Sequence, residues 1–347
     1  MLDSMGPDKP FNPIEYIYLT FLNIIASSVF GQSYTLDDPE FRQIKYTFYD
    51  LEFETGNCFV LWEWAPIFRW LYRPDLFNKY KRHFVSLRQL IQQKFLDHRH
   101  DYQPDIERDF CDALIATADE AVRQSKESAP YLTDANLSMT VFDVFFAGVD
   151  TSQITFQWLL LLLAYYPDVQ QRVRQEIDRI IGDHLPGHVD RDRCHYTMAV
   201  ISETLRYRNA APFGVSHKTM VTTKLGQYTV PKNTAIGVFQ GYILSNDSDK
   251  HWSGGNGMDF RPDRFIDSDG KYIQKRFQSF IPFGLGRRVC LGERLAYADL
   301  FLVLVRLIQR TRNYDIVLDS HQGLDPNHDI RDVVTPNQFN IVLKTKL

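Results

Sequence analysis

The sequence holds only four cysteines in 347 residues, Cys58, Cys111, Cys194 and Cys290, and no two of them form a C-x-x-C pair. That dispersion excludes a short-spaced zinc site and the disulfide framework of a small secreted domain, and it points to thiols in a reducing compartment. Neither sign of charge dominates. The formal net charge of −4 leaves no overall basic field to attract nucleic acid. Long hydrophobic runs are missing too: the longest, from Trp158 to Tyr166, is too short to cross a bilayer, and the opening MLDSMGPDKPFNP has no apolar signal core. There is no internal repeat and no low-complexity stretch.

What is present is apolar residues in helical order, and at 44% hydrophobic the chain can bury a large core. Ile14 to Phe30 reads as a buried helix, Asp75 to His98 as a long amphipathic one, and Leu137 to Tyr166 as a very long, mostly apolar one. After Pro167 the segment DVQQRVRQEIDRIIG reads as a helix with a polar, solvent-facing side that includes Glu176; it stops at Gly182. Tyr196 to Tyr207 is the next helix. From Ala211 short β-like pieces, KTMVTTKL, QYTV and TAIGVF, alternate with turn residues at Gly226 and at Pro231-Lys232-Asn233. A glycine-rich loop from Ser253 to Gly257, an apolar helix from Leu291 to about Arg310 and a β-like tail, FNIVLKT, complete the chain. The predicted fold class is mainly α with a small β region, in a single domain whose helical body runs over about 10–210 and whose β-containing part runs over about 211–347.

The chemistry concentrates in Phe283-Gly-Leu-Gly-Arg-Arg-Val-Cys-Leu-Gly292. A lone cysteine is ordinarily a buried structural thiol. Here Gly284 and Gly286 permit tight backbone turns, loop amides can donate to sulfur, and the positive end of the following helix, with Arg287 and Arg288, favours thiolate over thiol. The pattern F-x-x-G-x-R-x-C-x-G resembles the haem-binding signature of the cytochrome P-450 family. The resemblance implies that Cys290 is the axial ligand of the iron in haem b (iron protoporphyrin IX). It also implies that Phe283 packs beside the sulfur, that Gly284 and Gly286 let the loop close on the haem, and that Arg288 pairs with a propionate.

Other segments follow the family's order. Within Ala147-Gly-Val-Asp-Thr-Ser152, Thr151 can bond back to the carbonyl of Ala147 and, with Gly148, loosen the helix into a notch; an ordinary helix with a back-bonded threonine is the competing reading. This stretch resembles the family's oxygen-binding segment, which implies catalytic roles for Ala147, Gly148, Asp150 and Thr151 in admitting dioxygen and delivering protons. Glu203-Thr-Leu-Arg206 sets opposite charges on one helical face, a spacing that is ordinarily a solvated pair. Phe260-Arg-Pro-Asp-Arg-Phe265 is similar to the family's F-x-P-E-R-F with Asp263 in place of glutamate, and implies a buried structural lock of Glu203, Arg206 and Arg264. Ala211-Pro-Phe-Gly-Val-Ser-His217 resembles the turn and strand on the substrate side of the haem. It gives Ala211, Phe213, Gly214 and Val215, with Phe146, as pocket residues and His217 as a propionate partner. Tyr228 to Thr234 and Asn246 to Trp252 also follow family patterns. Glu107-Arg-Asp-Phe-Cys-Asp112 and Lys9-Pro-Phe-Asn-Pro13 resemble the microsomal branch, and the run from Ala211 to Lys218 resembles steroid 17α-hydroxylases.

The family resemblance implies a mostly helical P-450 fold with haem between the long helix at Asp150 and the loop at Cys290. The implied activity is a haem-dependent monooxygenase that inserts one atom of dioxygen into an apolar small-molecule substrate: a steroid, lipid or xenobiotic. Electrons would come from NADPH through an NADPH-cytochrome reductase, with cytochrome b5 as a second candidate partner. Arg287, Arg294, Lys271, Lys275 and Arg276 would form a basic docking face, scattered solvated charge being the alternative. Full-length members lie on the cytoplasmic face of the endoplasmic reticulum membrane, against the membrane surface; no anchor or signal is seen in this sequence. Its beginning matches a helix about a third of the way into a microsomal member, so the early helix whose tryptophan and arginine grip a propionate has no counterpart here. Trp62, Trp64, Arg69 and Trp70, around Pro66, match a later loop instead. Two alternatives stand: a haem-thiolate isomerase, against which the Asp150-Thr151 pair argues, and a truncated, non-catalytic haem-binding protein.

Overall fold

Seventeen residues without an internal proline or glycine form α1, Ile14–Phe30, in the computed structural model of the chain. The structure describes residues 7–346 apart from 51–53, 56–57, 59–60, 63–64, 246–251, 253–256, 274–276, 321–324 and 327–333, and of residues 49 and 50 the backbone only. Trp64, Lys275, Arg276, most of the stretch from Asn246 to Trp252 and most of the glycine-rich loop therefore lie outside the described residues. The chain forms two compact units, one of residues 15–153 and one of residues 1–14 with 154–347.

The 15–153 unit holds α1, α2 (Pro39–Lys45), a π turn (Tyr46–Asp50), α3 (Phe68–Leu71), α4 (Pro74–Asp101), α5 (Phe110–Arg123) and the part of α6 (Asp134–Tyr165) up to residue 153. Proline at the start of α2 and α4 occupies a position whose N–H has no intrahelical partner. Asp109 caps α5 by accepting from the Asp112 amide at 3.2 Å, and Arg108 grips the buried Asp112 carboxylate at 2.7 Å. Aromatic rings knit the core: Phe30 lies 5.6 Å from Phe145, Phe48 lies 4.6 Å from Phe146, and Phe84 lies edge-on to Phe142 at 5.3 Å.

The second unit holds the rest of α6, then α7 (Pro167–Ile180), α8 (His195–Tyr207), α9 (Gln240–Ser245) and α10 (Glu293–Arg310). Trp158 to Leu163 are buried in succession, which is why this end of α6 is apolar all round rather than on one stripe. α7 keeps its exposed polar side at Asp168, Gln171, Arg172, Gln175, Asp178 and Arg179, but Glu176 is not on it, which corrects the sequence reading at that residue. Its Gln170, Arg174 and Glu176 face inward: Gln170 donates to the carbonyls of Leu163 and Ile316, Arg174 donates to the Thr311 carbonyl at 2.9 Å, and Glu176 accepts from the amides of Tyr196 and Thr197. These polar groups are tolerated inside because each finds hydrogen-bond partners there.

Three antiparallel pairs make up the described β structure: β1 (His217–Lys218) with β4 (Ala235–Ile236), β2 (Thr223–Leu225) with β3 (Tyr228–Val230), and β5 (Tyr314–Leu318) with β6 (Ile341–Thr345). The single piece KTMVTTKL of the sequence reading is thus two strands in different pairs. Thr219 makes the break, its hydroxyl donating to the Pro231 carbonyl at 2.7 Å and accepting from the Thr234 amide. β5 had no clear pattern in the sequence, whereas the tail strand did; Phe11 adds a bridge to that tail at Ile341. Among the described residues no helix is long and apolar enough to cross a membrane.

Candidate functional site

Two glycines shape the cysteine loop. Gly284 and Gly286 have φ of +76° and +75°, a region that costs any side chain strain, and between them they turn the chain into a short 3-10 turn, Gly286–Arg288. The Cys290 amide closes the loop by donating to the Phe283 carbonyl at 3.0 Å. Phe283 in turn packs its ring 5.5 Å from that of Tyr297 on α10. Cys290 itself is exposed, and so are its neighbours Leu285 at 70%, Val289 and Leu291 at 99%. Arg287 and Arg288 are also exposed, and neither has an ion-pair partner among the described residues. An accessible thiol among uncovered apolar side chains, with guanidinium groups beside it, is a donor set that fits a flat apolar macrocycle with anionic edges.

The turn that follows α8 belongs to the same unit. Gly214 donates to the Ala211 carbonyl at 2.9 Å, Phe213 stacks on Phe239 at 5.0 Å, and Ala211, Phe213, Val215 and His217 are exposed. The Gln240 side chain links this turn to the cysteine loop: its Nε2 would lie 2.9 Å from a Cβ on Gly214 and 3.5 Å from one on Gly284. Asn209, 7% exposed, ties the same two segments by hydrogen bonds. Its Nδ2 donates to the Pro282 carbonyl at 3.1 Å and its Oδ1 accepts from the Ala211 amide at 2.9 Å. Neither residue was singled out in the sequence. An asparagine just past a helix end, two residues before Ala211-Pro212, was the available signal, and it read only as a turn residue.

Glu203, Arg206 and Arg264 come together with no side-chain exposure. Arg206 makes a bidentate pair with Glu203 at 2.7 Å through both Nε and Nη2, and Arg264 Nε adds a third bond at 3.2 Å. The carboxylate also accepts from the Arg261 amide at 2.7 Å, while Arg206 spends its remaining N–H groups on the carbonyls of Leu244, Gly257 and Asp259. Its guanidinium lies 5.1 Å from the ring of the buried Trp252. Burial pulls the Arg264 guanidinium below its ordinary range. Asp263 points elsewhere, making a half-exposed bidentate pair with Arg172 of α7 at 2.7 and 2.9 Å.

Ala147, Gly148, Asp150, Thr151 and Phe146 lie in the other unit. Thr151 Oγ1 donates to the Ala147 carbonyl at 2.8 Å. α6 nevertheless runs on as one helix, so the loosening anticipated around Gly148 is not visible as a break. Gly148 allows close packing, since a Cβ there would meet Ile25 Cδ1 at 2.8 Å. Burial raises the Asp150 carboxyl to about 6, against the Gln153 amide, which donates to it at 3.0 Å. Phe146 sits among Phe48, Phe84 and Phe142. Of the basic docking residues, Lys271, Arg287 and Arg294 are exposed.

Comparison with known proteins gives one consistent result. A steroid 17-alpha-hydroxylase/17,20 lyase of Oryzias latipes is 36% identical over 297 residues, covering 83% of this chain and 56% of the relative. The protein of the same description from Gallus gallus is 37% identical with the same coverage. Cytochrome P450 2U1 of Bos taurus is 31% identical over 350 residues, covering 98% of this chain and 61% of the relative. The chain thus spans less than two thirds of the length of these relatives. With the cytochrome P450 family model matching residues 2–341, nearly end to end, the chain belongs to the cytochrome P450 family and has its mainly helical fold.

Proposed function

We propose that this chain is the haem-binding part of a monooxygenase acting on an apolar organic substrate, with Cys290 as the thiolate ligand. The observation that carries the reading is the contrast among its cysteines. Cys290 is exposed in a loop turned by two positive-φ glycines, whereas Cys111 and Cys194 are buried, and burial pushes both thiols up to about 12. Cys290, Phe283, Gly284 and Gly286 would hold haem b, with Arg288 and His217 toward its propionates. Haem bound through a thiolate supplies activation of dioxygen, one atom entering a substrate C–H bond and the other leaving as water.

The chain's own residues hold and pass protons. Asp150, with its carboxyl raised to about 6, can both carry and release a proton near neutral pH, and the Thr151 hydroxyl, anchored on the Ala147 carbonyl, is the adjacent relay group. Phe146, in the other unit, is a separate candidate for substrate contact, and Ala211, Phe213, Gly214 and Val215 offer an apolar surface that suits a steroid, lipid or xenobiotic. The steroid 17-alpha-hydroxylase relatives support the first of these. Electrons from NADPH would arrive through a reductase, cytochrome b5 being a second donor, at the exposed Arg287, Arg294 and Lys271. Ile67, Trp70 at 82% exposure and Leu71 form an uncovered apolar patch flanked by Arg69 and Arg73, and this supports contact with a membrane surface, at the endoplasmic reticulum as in microsomal relatives. The test is to load the purified chain with haem, reduce it and add carbon monoxide. The red-shifted absorption band of a thiolate ligand is the expected result; an imidazole-type band, or no haem uptake, overturns the reading.

A further inference from the structure

The cysteine loop is anchored at its base and almost nowhere else. From Leu285 to Leu291 every residue is exposed, so its position is set where it leaves the core, at Pro282 and Phe283. One anchor is the Phe283–Tyr297 ring contact, with the Tyr297 hydroxyl 3.4 Å from Ser202 Oγ on α8. The other is Asn209. A carboxamide offers an acceptor and two donors in one plane, and Asn209 uses them in opposite directions: Nδ2 to the Pro282 carbonyl, with a long contact to the Leu205 carbonyl at 3.4 Å, and Oδ1 to the Ala211 amide. The two segments it joins are the loop that presents Cys290 and the turn Ala211–Gly214.

We propose that Asn209 is a positioning residue that fixes the Cys290 loop in register with the Ala211–Gly214 turn, so that displacement of the turn is transmitted to the thiol. This rests on the reading of Cys290 as a ligand and deepens it: the turn that would meet substrate and the loop that would meet iron share one buried amide. Gln240 Nε2, wedged between Gly214 and Gly284, keeps the two segments at the spacing that Asn209 requires. Asn209 is buried and its partners are main-chain groups, so the coupling does not depend on which side chains the turn carries.

Hydrogen exchange on the purified chain, without added haem, tests this. Asn209→Ala removes both bonds and should speed exchange of the Ala211, Gly284 and Cys290 amides roughly three- to tenfold, the loss of about one hydrogen bond's worth of local protection. Amides of the α10 core such as Leu304 should stay at wild-type rates. Asn209→Asp keeps the acceptor for Ala211 but faces the Pro282 carbonyl with a second acceptor. It should therefore leave Ala211 protected while Gly284 and Cys290 exchange faster, and alkylation of Cys290 should accelerate with them. A uniform rise across the unit, unchanged loop amides in both variants, or equal effects of Asn209→Asp on Ala211 and on the loop would each overturn the proposal. Failure of Cys290 to ligate haem would leave these rates as they are, so the two readings fail separately.

Discussion

The charge cluster around Glu203 and the loop that carries Cys290 belong to the same unit and both carry arginines, yet they end in opposite states. In the cluster, two guanidinium groups and a backbone amide converge on one carboxylate, and the side chains have no exposure. In the loop, a thiol, three apolar side chains and two arginines face outward. The cluster is completed by its own chain, through residues separated by 61 positions, whereas the loop is shaped by its chain and leaves its thiol and apolar side chains exposed. Buried charge is kept only when paired, so the cluster reads as a device of stability. Exposed apolar side chains around an accessible thiol suit a bound ligand, which is the role proposed for the loop.

The largest expected effect is on the loop. Cys290→Ala should abolish the thiolate-type carbonyl band of the reduced, haem-loaded chain, because the buried Cys111 and Cys194 hold their protons and have no access to a ligand, and the half-buried Cys58 lies in the other unit, outside the loop turned by Gly284 and Gly286. Persistence of that band would move the ligand elsewhere and dissolve the contrast between loop and cluster.

On the cluster side, Glu203→Gln strands Arg206 and Arg264 without their shared anion and should cost about 3–5 kcal/mol in denaturant unfolding. Asp263→Asn, which breaks only the half-exposed pair with Arg172, should cost about 0–1 kcal/mol. It is a fitter comparison than Glu176, which is buried and accepts three hydrogen bonds. Equal midpoints for the two variants would reduce the cluster to an ordinary ion pair.

Thr151→Ala removes the hydroxyl proposed as a relay without touching the loop. Haem content should hold while product formed per NADPH consumed falls and peroxide rises. Unchanged coupling in a reconstituted assay would take Thr151 out of the mechanism.

The smallest effect tests an intermediate case. Asp299 on α10 is 7% exposed, as deep as the cluster nearly, but has no ion-pair partner among the described residues, and desolvation raises its carboxyl to about 6. A carboxyl with a raised folded pKa binds its proton more tightly when folded, so its contribution is fully present below pH 4 and is lost as pH rises through about 6. Asp299→Asn should thus stabilise the chain by about 1 kcal/mol above pH 6, allowing for solvent screening, and do nothing of this kind below pH 4. A pH-independent difference would mean that packing rather than ionisation separates the two side chains.

Much of the fold was legible because helices are written locally. Ile14–Phe30 matches its apolar run to the residue, and the helices from Pro74, Asp134, Pro167, His195 and Glu293 start within about three residues of their sequence signals. The cysteine loop was legible for a different reason: glycines, arginines and a thiol at fixed spacing leave few other uses. The short helices Pro39–Lys45 and Gln240–Ser245 and the strand Tyr314–Leu318 escaped, since pieces of this length carry too few residues for a period to show. Asn209 and Gln240 escaped because their partners, Pro282 and Gly284, lie far along the chain.

By itself the sequence determined where the chain turns helical, where glycine must bend it and which cysteine sits in a loop able to show its sulfur, all consequences of side chains acting on their own few neighbours. Only the tertiary structure decided which polar groups go inside. Beside Val169, Val173 and Ile177, α7 also buries Gln170, Arg174 and Glu176, because Ile316, Thr311 and Tyr196 bring them main-chain partners; Asp263, one residue from Arg264, stays out because Arg172 meets it there. The physical reason is that a polar side chain's place is fixed by whether its hydrogen bonds can be replaced on leaving water, and the replacements come from residues that no local period connects.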